Sequence, residues 1–121
     1  MYFKETDKSN HSYKNLYGGN GVVKAHKFFS KYSKSNCHFH LWELSPGHSE
    51  GVHVHDKESD YEEIYYVIEG KGMMNIEDEV VKIEKGDAIL VPPGVKHGIL
   101  NNGKKPLRFI LLFDKVLNEF Q

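Results

Sequence analysis

Four side chains able to bind a divalent cation stand at short, patterned intervals in this chain. His53 and His55 are two apart in a stretch that reads as a strand, so both rings project to one face. Imidazole is the commonest nitrogen ligand for divalent metals, and two on one face offer two adjacent coordination positions. Glu63 opens the next apolar run, Ile64-Tyr65-Tyr66-Val67-Ile68. His97 follows the stiff turn Pro92-Pro93-Gly94 and opens a strand toward Asn101. Two further residues are candidates for the chemistry itself. Tyr65 has the parity of Glu63 along its strand and is a pocket wall or a proton donor. His40 shares a strand face with Trp42, and either pocket lining or an outward row fits that placement. His11, His26 and His38 receive no role.

The elements that must position these groups are short and dyadic. Asn36 to Leu44 carries two interleaved rows, Cys37, Phe39, Leu41 and His38, His40, Trp42, Leu44. Successive strand side chains point to opposite faces, so one of the rows meets a core. Val22 to Phe29, Ile64 to Ile68, Met73 to Ile76, Val80 to Ile83, Ala88 to Val91 and Leu107 to Phe113 read the same way, dense in β-branched and aromatic residues. Between them lie Ser45-Pro46-Gly47, Glu69-Gly70-Lys71-Gly72, Glu77-Asp78-Glu79, Lys85-Gly86-Asp87 and Asn102-Gly103, which read as turns. Short strands at this spacing predict an all-β antiparallel sandwich or barrel. Residues 1–20 are polar and are expected to form a flexible arm or an edge strand, with one barrel domain over 21–121. The tail from Lys115 to Gln121 is a helical turn or a strand.

Bulk properties narrow the class. A chain of 121 residues is one ordinary domain. Its single cysteine, Cys37, permits no intramolecular disulfide and is expected to be a buried thiol. The first residues, Met-Tyr-Phe-Lys-Glu-Thr-Asp-Lys, are charged where a leader needs apolar ones, and no run approaches the roughly 18 apolar residues of a membrane span. A cytoplasmic protein is expected. The 16 basic and 17 acidic residues nearly cancel, and no basic face of a nucleic-acid binder emerges.

Two motifs then carry a family resemblance. Gly47, five residues, His53-Val54-His55, and later Glu63, six residues, Gly70, resemble the first cupin motif. Gly86, five residues, Pro92-Pro93-Gly94, two residues, His97, three residues, Asn101, is similar to the second at every spacing. The resemblance covers about residues 36 to 113. It implies a double-stranded β-helix, or jelly-roll, barrel holding one divalent metal ion through His53, His55, Glu63 and His97. One departure stands out: seven residues, Asp56 to Glu62, separate His55 from Glu63, where the family usually has three or four. Counting from His55 nominates Asp60 as the carboxylate, and counting back from Gly70 nominates Glu63. The second count is preferred, because a strand is rigid and the loop Asp56-Lys57-Glu58-Ser59-Asp60 can absorb an insertion.

Three histidines and a carboxylate leave about two positions open on an octahedral ion, the mark of a reactive site. The absence of thiolate ligands points to iron, manganese, nickel, cobalt or zinc. The resemblance therefore implies a small metal-dependent enzyme of isomerase, dioxygenase, decarboxylase or cyclase type, acting on a compact polar substrate that chelates the ion. The alternative is a non-catalytic barrel binding a sugar-like or carboxylate molecule. By analogy with small cupins, a homodimer is expected.

Overall fold

A computed structural model describes residues 1–54 and 61–116. His55, Asp60 and the tail beyond Val116 lie outside the described residues, and with them the expectations attached to those positions.

Among the described residues ten strands follow one another: β1 His11–Lys14, β2 Val22–Lys27, β3 His38–Leu44, β4 Ser49–His53, β5 Tyr61–Glu69, β6 Lys71–Ile76, β7 Glu79–Glu84, β8 Ala88–Val91, β9 His97–Leu100 and β10 Leu107–Lys115. A single 3₁₀ turn, Leu16–Gly18, stands between β1 and β2. The strands form two antiparallel sheets, a six-stranded one in the order β1-β2-β3-β10-β5-β8 and a four-stranded one in the order β4-β9-β6-β7. The chain switches sheets after β3, β4, β5, β7, β8 and β9, which is the winding of a jelly roll.

Alternation decides which side chains fill the space between the sheets. Inward rows supply Val23 and Ala25 of β2, Trp42 and Leu44 of β3, Tyr65 and Val67 of β5, and Phe109 and Leu111 of β10. Met74, Ile83, Val91 and Ile99 close the core from the other strands. Each large apolar side chain contributes roughly 1.5–3 kcal/mol by leaving water. His40 and Trp42 belong to this inward row, which resolves the parity of β3 that the sequence leaves open. Asn101, buried after β9, donates from Nδ2 to the carbonyls of Leu44 and Lys105, both at 2.8 Å, and ties the turn ahead of β10 to the end of β3.

Cys37 is exposed, contrary to the expected buried thiol. The strand starts one residue later, at His38, and the Cys37 amide is instead drawn to Ser35 Oγ in the preceding loop at 3.0 Å.

The N-terminal segment is tied along the outer face of the six-stranded sheet. β1 pairs with β2, His11 opposite Ala25. Upstream of it, buried His26 meets the Lys8 carbonyl through Nδ1 and Glu5 Oε1 through Nε2, the latter at 2.9 Å. Arg108 gathers Asp7, Glu43 and Glu69 on the same face. Beyond this cover, the outer face shows a cross-strand row of Phe39, Leu112, Ile64 and Leu90, beside Leu41, Ile110, Tyr66 and Ala88. Phe39, Tyr66 and Leu90 are exposed.

The His26 ring is held between the Lys8 carbonyl and the Glu5 carboxylate. Burial alone pushes its pKa down, but the Lys8 carbonyl and the Glu5 carboxylate outweigh that and raise it above the ordinary 6.5. A raised folded pKa means the contribution to stability is whole below pH 6.5 and is lost as pH climbs through the folded value. The melting-temperature gap between wild type and His26→Gln is therefore expected to be wider at pH 6 than at pH 9, by roughly a few degrees. Thermal melts at the two pH values check this, and an equal gap at both contradicts it.

Candidate metal centre

β4 and β9 run side by side, with Ser49 opposite Leu100, Glu50 opposite Ile99 and His53 opposite His97. Between the last two pairs the register shifts, so that Gly51 and Val52 together oppose Gly98. This is a β-bulge, one extra residue on β4. Regular alternation would send Glu50 and His53 to opposite faces. The bulge turns both toward the core and leaves Val52 outside, exposed. Gly98 has no side chain because a Cβ there would press on the bulged strand, 3.0 Å from Val52 Cα.

The result is a cluster in which Glu50, His53 and His97 each offer a ligand atom within 4.8 Å of the others, a group that could hold a metal ion. Glu50 and His97 are buried. Glu63, buried on β5, brings Oε1 to 2.9 Å from His97 Nε2. The His53 and His97 rings lie 4.5 Å apart between centroids. Both imidazoles are oriented from behind. His53 Nδ1 donates to the Gly51 carbonyl and His97 Nδ1 to the Val95 carbonyl, each at 2.9 Å. Fixing the proton on Nδ1 puts the lone pair on Nε2, the usual arrangement behind a metal-binding histidine.

The electrostatics fit a cation at this spot. Burial pushes the Glu50 carboxyl up to about 8, nearby Glu63 adds to the rise, and His97 and the Tyr65 hydroxyl oppose it. Tyr65, wholly buried, donates to Glu50 Oε1 at 3.4 Å. Its own hydroxyl is held well above the ordinary 10 by burial first and by the two carboxylates next. Burial lowers the His97 pKa, yet the contacts with Glu63 and Val95 and the charges of Glu63 and Glu50 leave it raised overall. Glu63 approaches His97 on its Nε2 side, away from the donating Nδ1. A divalent cation at this spot would be held by Nε2 and would answer the charge of the two crowded carboxylates.

The 3₁₀ turn caps one side of the cluster. Tyr17 stacks on His53, ring centroids 3.8 Å apart and nearly parallel at 8°. The stack depends on Gly51, where a Cβ would sit 2.0 Å from the Tyr17 carbonyl oxygen. Asn15 and Tyr17 both adopt the left-handed region, φ 52° and 53°, to wrap the segment over β4. Beside the cluster lies a cavity of about 260 Å³ lined by Glu50 and Glu63, by His40 and Lys27, and by aromatic and aliphatic side chains including Tyr17 and Trp42.

The residues named from sequence are thus distributed as follows. His53, Glu63 and His97 converge, while His55 and Asp60 lie outside the described residues. Tyr65 forms the floor of the cluster, with its hydroxyl engaged to Glu50. His40 lines the cavity. Its pKa falls to about 4, chiefly through burial and then through Lys27, so it is a neutral imidazole at physiological pH. Trp42 Nε1 donates to His40 Nδ1 at 3.3 Å, which leaves the His40 proton on Nε2. Glu50 escaped the sequence reading; its only signal is its position three residues before His53, which the bulge makes effective.

Residues 40–113 match the Cupin domain family, well over half of the chain. The chain belongs to the cupin family. An oxalate-binding protein of Thermotoga maritima is 35% identical over 98 residues, 79% of this chain and 78% of that protein. An uncharacterised protein of Methanocaldococcus jannaschii is 45% identical over 49 residues. A glucose-6-phosphate isomerase of Thermococcus gammatolerans is 36% identical over 66 residues. The matched segments span 39% of the Methanocaldococcus protein and 34% of the isomerase. Among solved cupin structures, a Thermotoga maritima protein described as a predicted oxalate decarboxylase superposes with a TM-score of 0.84 at 28% identity, covering 96% of this chain and 100% of that one. A conserved-barrel cupin from Salinispora arenicola, 17% identical with a TM-score of 0.75, shares the fold. Among the described residues no helix is long and apolar enough to cross a membrane.

Proposed function

We propose that this cupin is a small metal-dependent enzyme whose single divalent ion is held by His53, His97 and Glu63, with His55 as a further ligand and Glu50 as a second carboxylate at the site. The observation that carries the reading is the pair of Nδ1–H donations to the Gly51 and Val95 carbonyls, which commit both imidazoles to present Nε2 at the buried carboxylates. When bound, the metal would act as a Lewis acid or, if redox-active, support dioxygen chemistry.

The chain's own side chains do the rest. The cavity admits a small molecule to the cluster. Tyr65 keeps Glu50 in place through its hydroxyl. Tyr17 covers the outer side of His53 and restricts water there. His40, neutral and protonated on Nε2, serves as a hydrogen-bond donor to a bound molecule; a base titrating near 4 is too weak to take a proton from a weak acid at neutral pH.

A second reading, a binding barrel without turnover, is favoured by one finding: the relative matched over four-fifths of this chain's length is an oxalate-binding protein. Both readings share the metal and differ in whether a bound molecule is changed.

For assembly, we infer a homodimer through the apolar outer face of the six-stranded sheet, where Phe39 of β3, Tyr66 of β5 and Leu90 of β8 are exposed. Light scattering at micromolar concentration should return twice the 14.0 kDa chain mass, and the monomer mass contradicts the pairing.

Metal content by plasma mass spectrometry tests the centre. Wild type reconstituted with iron, manganese, nickel, cobalt or zinc should retain about one equivalent of one of them, and His53→Ala and His97→Ala less than about a tenth. Glu63→Gln should bind roughly 10- to 100-fold more weakly. Retention by both histidine variants, or none by wild type, overturns the metal reading.

A further inference from the structure

The inward row of β2 ends on a charge. Val23 and Ala25 are fully buried core residues, and Lys27, two further along with the same parity, is a lysine. Its backbone is fixed by pairing with His40 on β3 and by a 3.1 Å hydrogen bond from its amide to Asn10 Oδ1. The side chain cannot turn outward without breaking that register. It lines the cavity beside His40, with Nζ 5.2 Å from the centre of the Tyr13 ring. No carboxylate among the described residues pairs with it. The two acidic groups of the cavity, Glu50 and Glu63, are gathered instead at the histidines. Lys27 is the only cation among the described lining residues.

Register gives the separation. Lys27, His40, Leu111 and Tyr65 form one cross-strand row, so Lys27 and Tyr65 are three strand spacings apart, roughly 14 Å at about 4.8 Å each. Between the two ends stands His40, and the rest of the wall is mostly apolar, with Leu16, Trp42, Leu111 and Phe113. The volume of about 260 Å³ holds about nine waters at about 30 Å³ apiece. A dianion as small as oxalate, with six heavy atoms, leaves much of that space and all of the apolar wall unused.

We propose that Lys27 is the anion-binding residue of this cavity and that its ligand is a carboxylate with a flat apolar body, charged end on Lys27 Nζ and body against Trp42, Leu111 and Phe113. A buried apolar wall attracts the body, and a cation in a partly desolvated rim attracts the charge more strongly than one in open water. The lowered pKa of His40, for which Lys27 is the second cause after burial, agrees with the ammonium charge being felt inside the cavity. The inference deepens the proposed function by naming a substrate class. It rests on that reading only for the cavity being the binding site, since the contact it names needs no metal.

Benzoate and its uncharged isostere benzamide are suitable probes, titrated calorimetrically into metal-free and metal-loaded full-length protein. Wild type should bind benzoate at least about tenfold more tightly than benzamide in both forms, a difference of about 1.4 kcal/mol. In Lys27→Met the two affinities should come within about twofold, and Lys27→Arg should restore most of the preference. The wild-type ratio in metal-free protein is decisive even if a variant folds poorly, and melting curves of both variants report that separately. Equal binding of the two probes, no binding of benzoate, or a preference that survives in Lys27→Met overturns the proposal. A preference confined to metal-loaded protein also overturns it, by placing the carboxylate on the metal. Loss of the metal itself, read from metal content, counts against the metal centre alone and leaves the Lys27 comparison intact.

Discussion

Two carboxylates and two imidazoles crowd one spot between the sheets, and the rest of the barrel is arranged around that crowding. Glu50 and Glu63 are both buried, and so is His97. Carboxylates removed from water in this way cost several kcal/mol each unless a positive charge or a proton answers them. Burial and the neighbouring Glu63 push the Glu50 carboxyl up to about 8, and the contact with Glu63 raises His97 against the effect of its own burial. A cation held there would answer both carboxylates at once, and its binding would then couple to the stability of the fold.

Holding that centre in place takes elements distant in sequence. β5 delivers Glu63, β9 delivers His97, and the bulged β4 delivers both Glu50 and His53. The 3₁₀ turn near the N-terminus lies close enough to β4 to require glycine at position 51 and lays Tyr17 flat on His53. The arm farther upstream is tied down by His26 and Arg108 on the outer face. The N-terminal segment thus contributes to the site through Tyr17 and to the sheet through β1, rather than standing apart from the barrel.

Much of this was legible from residue types and spacing. Dyadic rows bounded by turn residues gave the strands, and the count back from Gly70 chose Glu63, which the structure sets 2.9 Å from His97. What escaped has physical causes. The position of Glu50 depends on the bulge, and no period-two count from His53 reaches a residue of opposite parity. The inward direction of His40 depends on which row of β3 faces the second sheet, a tertiary fact. Cys37 was assigned to a strand that begins one residue later, a boundary error of the size that fraying strand ends produce. Lys27 was unreadable for a further reason: a charged residue at the end of an apolar row looks like a strand end until the register shows it facing a cavity.

The most direct measurement is anomalous diffraction from crystals of the full chain grown with zinc, recorded at the zinc edge. The account predicts one strong peak within about 2.0–2.2 Å of His53 Nε2, His97 Nε2 and a carboxylate oxygen of Glu63 or Glu50. A map with no peak there, and Glu63 still seated against His97 Nε2, would contradict it.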